Sequence, residues 1–251
     1  MKLDNTIAVV TGAASGMGRV VAHTLAQAGA RVAGFDLAAA IDRAEPITGV
    51  DYQVVDITEP EEVADAVHHA ADCGPLRIVV NCAGVAPSER ILRRGATHDL
   101  TLFARTVNVN LVGTFNVMTL AAQHIAKAEP DAQGQRGVII NTASIAAFDG
   151  QIGQSAYAAS KGGVVSLTLP AARDLASHGV RVCTIAPGII DTPMMASFSD
   201  EVRSGLAAGV PFPRRLGHPE EYADLVLAII RNDYLNGEVI RLDGALRMAA
   251  R

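Results

Sequence analysis

Thr11-Gly12-Ala13-Ala14-Ser15-Gly16-Met17-Gly18 follows the apolar run Thr6–Val10 and opens the helical pattern Gly16–Ala28. Its glycines allow a tight turn and close approach of backbone to a pyrophosphate. The free N–H groups and positive dipole end of the helix favour an anion there. A glycine pattern alone is weak, because ordinary tight strand-to-helix turns also carry glycine. A strand before it and a helix after it point to dinucleotide binding.

Outward from that stretch, short β-rich runs alternate with long helical patterns. The candidate strands are Thr6–Val10, Arg31–Phe35, Tyr52–Val55, Arg77–Val80, Gly137–Asn141, Val180–Ile185 and Glu238–Leu242. The candidate helices are Gly16–Ala28, Pro60–Asp72, Thr97–Lys127, Gln154–Ser177 and Pro219–Arg231. Near-continuous apolar strands separated by helices predict an α/β fold, a doubly wound parallel sheet of about seven strands with helices on both faces. No repeat of solenoid period and no low-complexity linker interrupts the 251 residues, so one domain is expected over 1–251. Ala128–Arg136 reads as a polar loop. Ile189–Arg215 reads as a long excursion after the C-terminal end of a strand, where open α/β sheets bind ligands.

Composition narrows the function classes. Hydrophobic residues make up 49% of the chain, aromatics 4%, and there is no Trp, so the core is aliphatic and alanine-rich. A formal net charge of -5 gives no electrostatic reason to expect nucleic acid or an anionic membrane as the main partner. Cys73, Cys82 and Cys183 form no CxxC or Cys/His cluster, which predicts a reducing compartment and no structural metal. Ile7 already begins an apolar run, so no leader peptide is expected. No apolar stretch reaches the ~20 residues that span a bilayer.

Asp36 ends the second strand about twenty residues after the glycine loop. A carboxylate there can accept hydrogen bonds from ribose hydroxyls and would repel a 2′-phosphate, which predicts NAD rather than NADP. The loop carries no cation before Gly16, and Leu37 follows Asp36, so no positive group is expected to receive that phosphate. Asp56 stands just past the third strand, where it could reach the adenine. Thr58 and Pro60 beside it equally mark a helix start.

Tyr157-Ala158-Ala159-Ser160-Lys161 places a phenol and an ammonium on one helical face. A free phenol titrates near ~10, and a nearby cation favours its phenolate. The pair therefore reads as a tuned acid/base. The chain has only three lysines, Lys2, Lys127 and Lys161, which sharpens the signal.

Together these motifs resemble the short-chain dehydrogenase/reductase family over essentially the whole chain. The resemblance runs from the Thr11–Gly18 loop through Asn81-Cys82-Ala83-Gly84, Asn110, Ser144, Tyr157 and Lys161 to Pro187-Gly188-Ile189-Ile190-Asp191-Thr192. Cys82 stands where the family usually has a second asparagine. The resemblance implies a catalytic set of Asn110, Ser144, Tyr157 and Lys161. Tyr157 would exchange the substrate proton, and Ser144 would donate a hydrogen bond to the substrate oxygen. Lys161 would lower the Tyr157 pKa and hold the nicotinamide ribose. Asn110, at a local helix distortion, would anchor a water. The implied cofactor contacts are Gly12, Ser15, Gly16, Met17, Gly18, Asp36, Asp56, Ile57, Asn81, Cys82, Ala83, Gly84, Tyr157, Lys161, Pro187, Gly188, Ile190 and Thr192.

The C-terminal third is similar to type II 3-hydroxyacyl-CoA dehydrogenases, through Val210–Gly217, Glu221-Tyr222-Ala223 and Leu235–Gly244. That likeness implies NAD-linked oxidation of 3-hydroxyacyl-CoA, with steroids and other secondary alcohols as further substrates. It also implies a homotetramer built on Thr97–Lys127, Gln154–Ser177 and the C-terminal strand region. Ala121, Ala122, Ala158, Ala159, Ala171 and Ala172 would allow close helix approach. A cytoplasmic location is expected. Arg90, Arg93 and Arg94 are candidates for the phosphates of coenzyme A. Gln154, Met194, Met195, Phe198 and Phe212 are candidates for the substrate pocket. Two other readings stand beside this one: an NADPH-linked 3-ketoacyl reductase, and a dinucleotide-sensing scaffold without catalysis.

Overall fold

The computed structural model describes residues 1–193, 195 and 198–250. Its strands in chain order are β1 (Ile7–Thr11), β2 (Arg31–Asp36), β3 (Val50–Val54), β4 (Leu76–Asn81), β5 (Leu92–Arg93), β6 (Ala96–Thr97), β7 (Gly137–Thr142), β8 (Val180–Pro187) and β9 (Val239–Leu242). Seven of them form one sheet in the order β3-β2-β1-β4-β7-β8-β9, with every pairing parallel. β1, β7 and β8 are buried at every residue, as strands covered on both faces must be. The strand order reverses between β1 and β4, and the crevice at their C-terminal ends is the ligand-binding switch point of such a sheet.

The helices are α1 (Gly16–Gln27), α2 (Ala38–Ile41), α3 (Pro60–Asp72), α4 (Leu100–Val107), α5 (Thr114–Ile125), α6 (Ala146–Asp149), α7 (Ser155–Ala176), α8 (Asp200–Ala208) and α9 (Pro219–Arg231). One sheet face packs against α3, α5 and α7 through residues such as Val63, Val67, Val117, Met118 and Ala171. The other packs against α1 and α9 through Val21, Leu25, Val226 and Ile230. Gly18 lies on the buried stripe of α1, where an added Cβ would sit 2.2 Å from the Gly12 carbonyl oxygen. Only glycine lets this helix start so close to the turn.

The segment Thr97–Lys127, expected as one helix, divides in two. α4 and α5 flank a π-helical segment, Asn108–Gly113, and Asn110 lies inside it, where a helix distortion was expected. The stretch with the three arginines forms a small antiparallel hairpin of β5 and β6, which periodicity did not reveal. The excursion Ile189–Arg215 contains α8 and is pinned at its ends by a parallel bridge between Ile190 and Gly217. Met194 lies outside the described residues. Among the described residues, no helix is long and apolar enough to cross a membrane.

Candidate active site

The C-terminal ends of β1, β2 and β4 border a cavity of about 360 Å³. Gly12, Ser15, Gly16, Met17, Gly18, Asp36, Asp56, Ile57, Cys82, Ala83, Gly84 and Thr192 all line it, as expected of them. Gly12 is at φ 67°, and a Cβ there would meet the Ala83 backbone nitrogen at 2.9 Å, so turn and strand end pack backbone to backbone. Each carboxylate oxygen of Asp36 accepts one backbone hydrogen bond, from Ala14 N–H at 2.9 Å and Leu37 N–H at 2.8 Å. That fixes the carboxylate and leaves acceptor capacity on both oxygens. Asp56 makes a turn just ahead of α3, whose N-cap is Glu59: its Oδ1 accepts from the Thr58 N–H and hydroxyl at 2.9 and 2.8 Å. It also faces the cavity.

Two expectations change here. Asn81 does not line this cavity. It is buried within the sheet and donates through Nδ2 to Asn141 Oδ1 at 2.9 Å. The absence of a cation also fails in three dimensions. Arg19, the nearest in sequence, is held by the Glu45 carbonyl and Tyr52 hydroxyl, but Arg105 on α4 lines the same cavity as Asp36. No local pattern could place Arg105 there, because α4 reaches the crevice only through the crossover between β4 and β7.

A second cavity, about 410 Å³, adjoins the first and shares Met17, Cys82, Gly84, Val85 and Thr192 with it. Ser144, Tyr157, Lys161, Pro187, Gly188, Ile190, Gln154, Met195 and Phe198 line it. Ser144 follows β7, and its Oγ accepts from Ala146 N–H at 3.1 Å. Lys161, one turn beyond Tyr157 on α7, is buried and donates to the Thr142 carbonyl at 2.8 Å. Phe212, expected in this pocket, lines neither cavity. Its N–H donates to the Gly244 carbonyl at 3.4 Å, and the residue stays 82% exposed.

Asn110 sits behind this pair and joins three segments. Its Oδ1 accepts from Val85 N–H at 2.8 Å, and its Nδ2 donates to the Val85 carbonyl at 2.8 Å and to Ser160 Oγ at 2.9 Å. Ser160 Oγ in turn donates to the Tyr157 carbonyl at 2.8 Å. Both amide hydrogens are therefore engaged by protein. The side chain clamps the β4 loop to α7. An added Cβ on Gly84 would meet Asn110 Oδ1 at 3.0 Å and Lys161 Nζ at 3.4 Å, which explains a glycine there.

The electrostatics also differ from the expectation. Burial raises the Tyr157 pKa, and a hydrogen bond with Ser144 pulls it the other way. The Lys161 ammonium is 6.0 Å from the Tyr157 ring centroid and is itself lowered from 10.5 to about 8, chiefly by burial. Desolvation is the largest cause of the shift in both groups. Spacing on a helix could not show this, because burial depends on what packs over α7. Burial likewise pushes the Cys82 thiol up to about 11, so it stays protonated at neutral pH.

A family model described as short chain dehydrogenase matches residues 6–203. The chain belongs to this family. The short-chain dehydrogenase relationship extends further in individual comparisons. A protein of Drosophila melanogaster named 3-hydroxyacyl-CoA dehydrogenase type-2 is 50% identical, covering 98% of this chain and 99% of its own. The Homo sapiens protein of that name is also 50% identical, covering 96% and 95%. A crystal structure of 3-hydroxyacyl-CoA dehydrogenase type-2 from Mycobacterium avium superposes with a TM-score of 0.92 at 42% identity, over 98% of each chain. The protein is an oxidoreductase.

Membership implies a nicotinamide dinucleotide, and the first cavity fits one. Its glycine-lined turn opens helix α1 toward it, with no side chain at Gly12, Gly16 or Gly18 to block backbone approach. Sequence reasoning missed several lining residues, among them Val85, Arg105, Asn108 and Val109 in the first cavity, and Val202, Leu206 and Met248 in the second. It also missed the role of Tyr222. That residue is fully buried on α9, and its hydroxyl meets Thr142 Oγ1 at 2.7 Å and Cys82 Sγ at 3.9 Å behind the site. The Glu221-Tyr222-Ala223 motif was visible in the sequence, but not what it packs against.

Proposed function

We propose that this protein oxidises 3-hydroxyacyl-CoA to 3-ketoacyl-CoA with NAD. The observation that carries the reading is the pairing of Ser144 and Tyr157 in a largely apolar cavity joined to the dinucleotide cavity. Relatives named 3-hydroxyacyl-CoA dehydrogenase type-2, at 50% identity over nearly the full length, supply the substrate class. Asp36, held by two backbone N–H groups, supports NAD over NADP.

A bound nicotinamide would supply the acceptor for the hydride of the carbinol carbon. The protein's part is to hold and deprotonate the alcohol. Ser144 donates a hydrogen bond to the substrate oxygen and steadies its developing charge. Tyr157 takes the hydroxyl proton in its phenolate form; because its surroundings raise its pKa, its own proton has to leave first. Lys161 would hold the nicotinamide ribose while Thr192 and the Ile190 backbone hold the carboxamide. Asn110 fixes the geometry of α7 against the Val85 loop.

Arg90, Arg93 and Arg94 line neither cavity. They are exposed on the β5–β6 hairpin, whose base is tied to the active-site side by the bond from Glu89 N–H to the Gly153 carbonyl at 2.8 Å. An exposed position suits the phosphates of coenzyme A, which would remain outside the apolar cavity. A tetramer also belongs to the reading, with a changed basis. Ala121, Ala122, Ala171 and Ala172 are buried in the chain's own core, so they are not free for a partner. Phe115 and Leu169, 47% and 45% exposed, offer the apolar contact on α5 and α7 instead. Three unpaired cysteines accord with a cytoplasmic location, which cell fractionation would check.

Steady-state assays on short-, medium- and long-chain 3-hydroxyacyl-CoAs with both cofactors test the reading. NAD should be strongly preferred, and Asp36→Ala should erode the preference. Equal kcat/KM with NADP in the wild type would shift the reading toward the NADPH-linked reductase, which Arg105 would favour. Replacing all three hairpin arginines with Ala should raise KM for a CoA thioester, less so at high salt, and leave a small neutral alcohol unaffected.

A further inference from the structure

Met248 lines the substrate cavity, and the segment that carries it is fastened there. Beyond β9 the backbone turns at Gly244 and Ala245, at φ 58° and 66°, and runs back over α6 and the segment before α7. Ile152 N–H donates to the Ala250 carbonyl at 3.0 Å, and Gln151 Nε2 donates to the Ala249 carbonyl at 3.0 Å. Asp149 pairs with Arg241 Nη2 at 2.6 Å, and that nitrogen donates to the Leu246 carbonyl at 3.0 Å. Arg241 Nε pairs with Asp243 at 2.7 Å, and the guanidinium lies 5.1 Å from the Phe148 ring. These contacts place Met248 against Ile145, Val210 and Leu246, on the wall of the cavity that holds Ser144 and Tyr157.

We propose that Met248 sets the length of the apolar chain that this cavity accepts. The proposal rests on the acyl-CoA reading for its natural substrate, but its geometry does not. A length limit needs a wall that does not yield. Val202 and Leu206 also face the cavity, yet they belong to α8, a helix with no buried residue. The tail is held instead by charge-assisted bonds through Arg241 and Asp149, which are stronger than neutral ones. Methionine is unbranched and fills an irregular gap well. Its removal opens space along the wall rather than collapsing the fold, because Leu246 carries the buried anchor of the tail.

The test uses Met248→Ala, Met248→Phe and the near-isosteric Met248→Leu in the full chain. Two substrate series are assayed, 3-hydroxyacyl-CoAs and plain secondary alcohols of increasing chain length. Losing Cγ, Sδ and Cε makes room for roughly two methylenes, each worth about fourfold in kcat/KM. The ratio of long-chain to short-chain kcat/KM should therefore rise about fifteenfold in Met248→Ala, fall in Met248→Phe and stay put in Met248→Leu. A residue with only a structural role would scale every substrate by one factor, and that result, or an unchanged ratio in both the Ala and Phe variants, overturns the proposal. If Met248→Ala fails to fold, the shift toward short chains in Met248→Phe decides. If the wild type ignores CoA thioesters but the alcohols show the shift, the acyl-CoA reading fails while the role of Met248 holds.

Discussion

Lys161→Met separates the electrostatic cost of the active site from its use. The lysine is buried, and its pKa falls from 10.5 to about 8 because the charged form is poorly solvated. That gap corresponds to about 3 kcal/mol of stability withheld at pH 7, at ~1.36 kcal/mol per pH unit. The sign follows from proton counts. Between pH 8 and 10.5 the unfolded chain keeps the Lys161 proton and the folded chain has lost it, so stability rises with pH. Below pH 8 the penalty is present in full. Methionine removes the titrating group at similar length but leaves the Thr142 carbonyl without its donor, which costs about 1–2 kcal/mol. The variant should be about 1–2 kcal/mol more stable than wild type at pH 7. By pH ~9.5 the difference should move by about 2 kcal/mol in favour of the wild type. Cys82, pushed up from 9.0 to about 11, lowers stability above pH 9 in both proteins, because the unfolded chain loses that proton first, and so drops out of their difference. Urea denaturation of both proteins at the two pH values, at one protein concentration and without added cofactor, measures it. Parallel pH dependences would refute the reasoning, since Lys161 would then titrate alike folded and unfolded. Turnover should be nearly abolished in the variant at every pH.

Other outcomes follow from single contacts. Tyr157→Phe should keep the dinucleotide affinity within about twofold and reduce kcat by several orders of magnitude, because burial and ring packing survive while the exchangeable proton is lost; isothermal titration and steady-state kinetics would show the split. Gly18→Ala forces a Cβ to within 2.2 Å of the Gly12 carbonyl oxygen, so it should cost about 1–3 kcal/mol and weaken dinucleotide binding at least ~tenfold. Gly205→Ala on α8 meets nothing within 4 Å and should instead stabilise by about 0.5–1 kcal/mol, a contrast that thermal melts read directly.

Much of this protein was legible without its structure, for physical reasons that particular residues make plain. The turn at Thr11–Gly18, the buried parallel strands and the Tyr157–Lys161 spacing are local: each depends on period, backbone freedom or the reach of one helical turn. The chemistry of the site followed from residue types in a fixed order. Tertiary structure alone decided what surrounds them. It buried Lys161 and half-buried Tyr157, so that desolvation is the largest cause of the shift in both groups. It brought Arg105 to the cavity of Asp36 from a helix some seventy residues away in sequence, and it engaged the Asn110 amide with Val85 and Ser160. It exposed Phe212 and carried Met248 to the substrate wall. Burial, long-range pairing and cavity shape are properties of several chain segments packed together, and no one of those segments encodes them by itself.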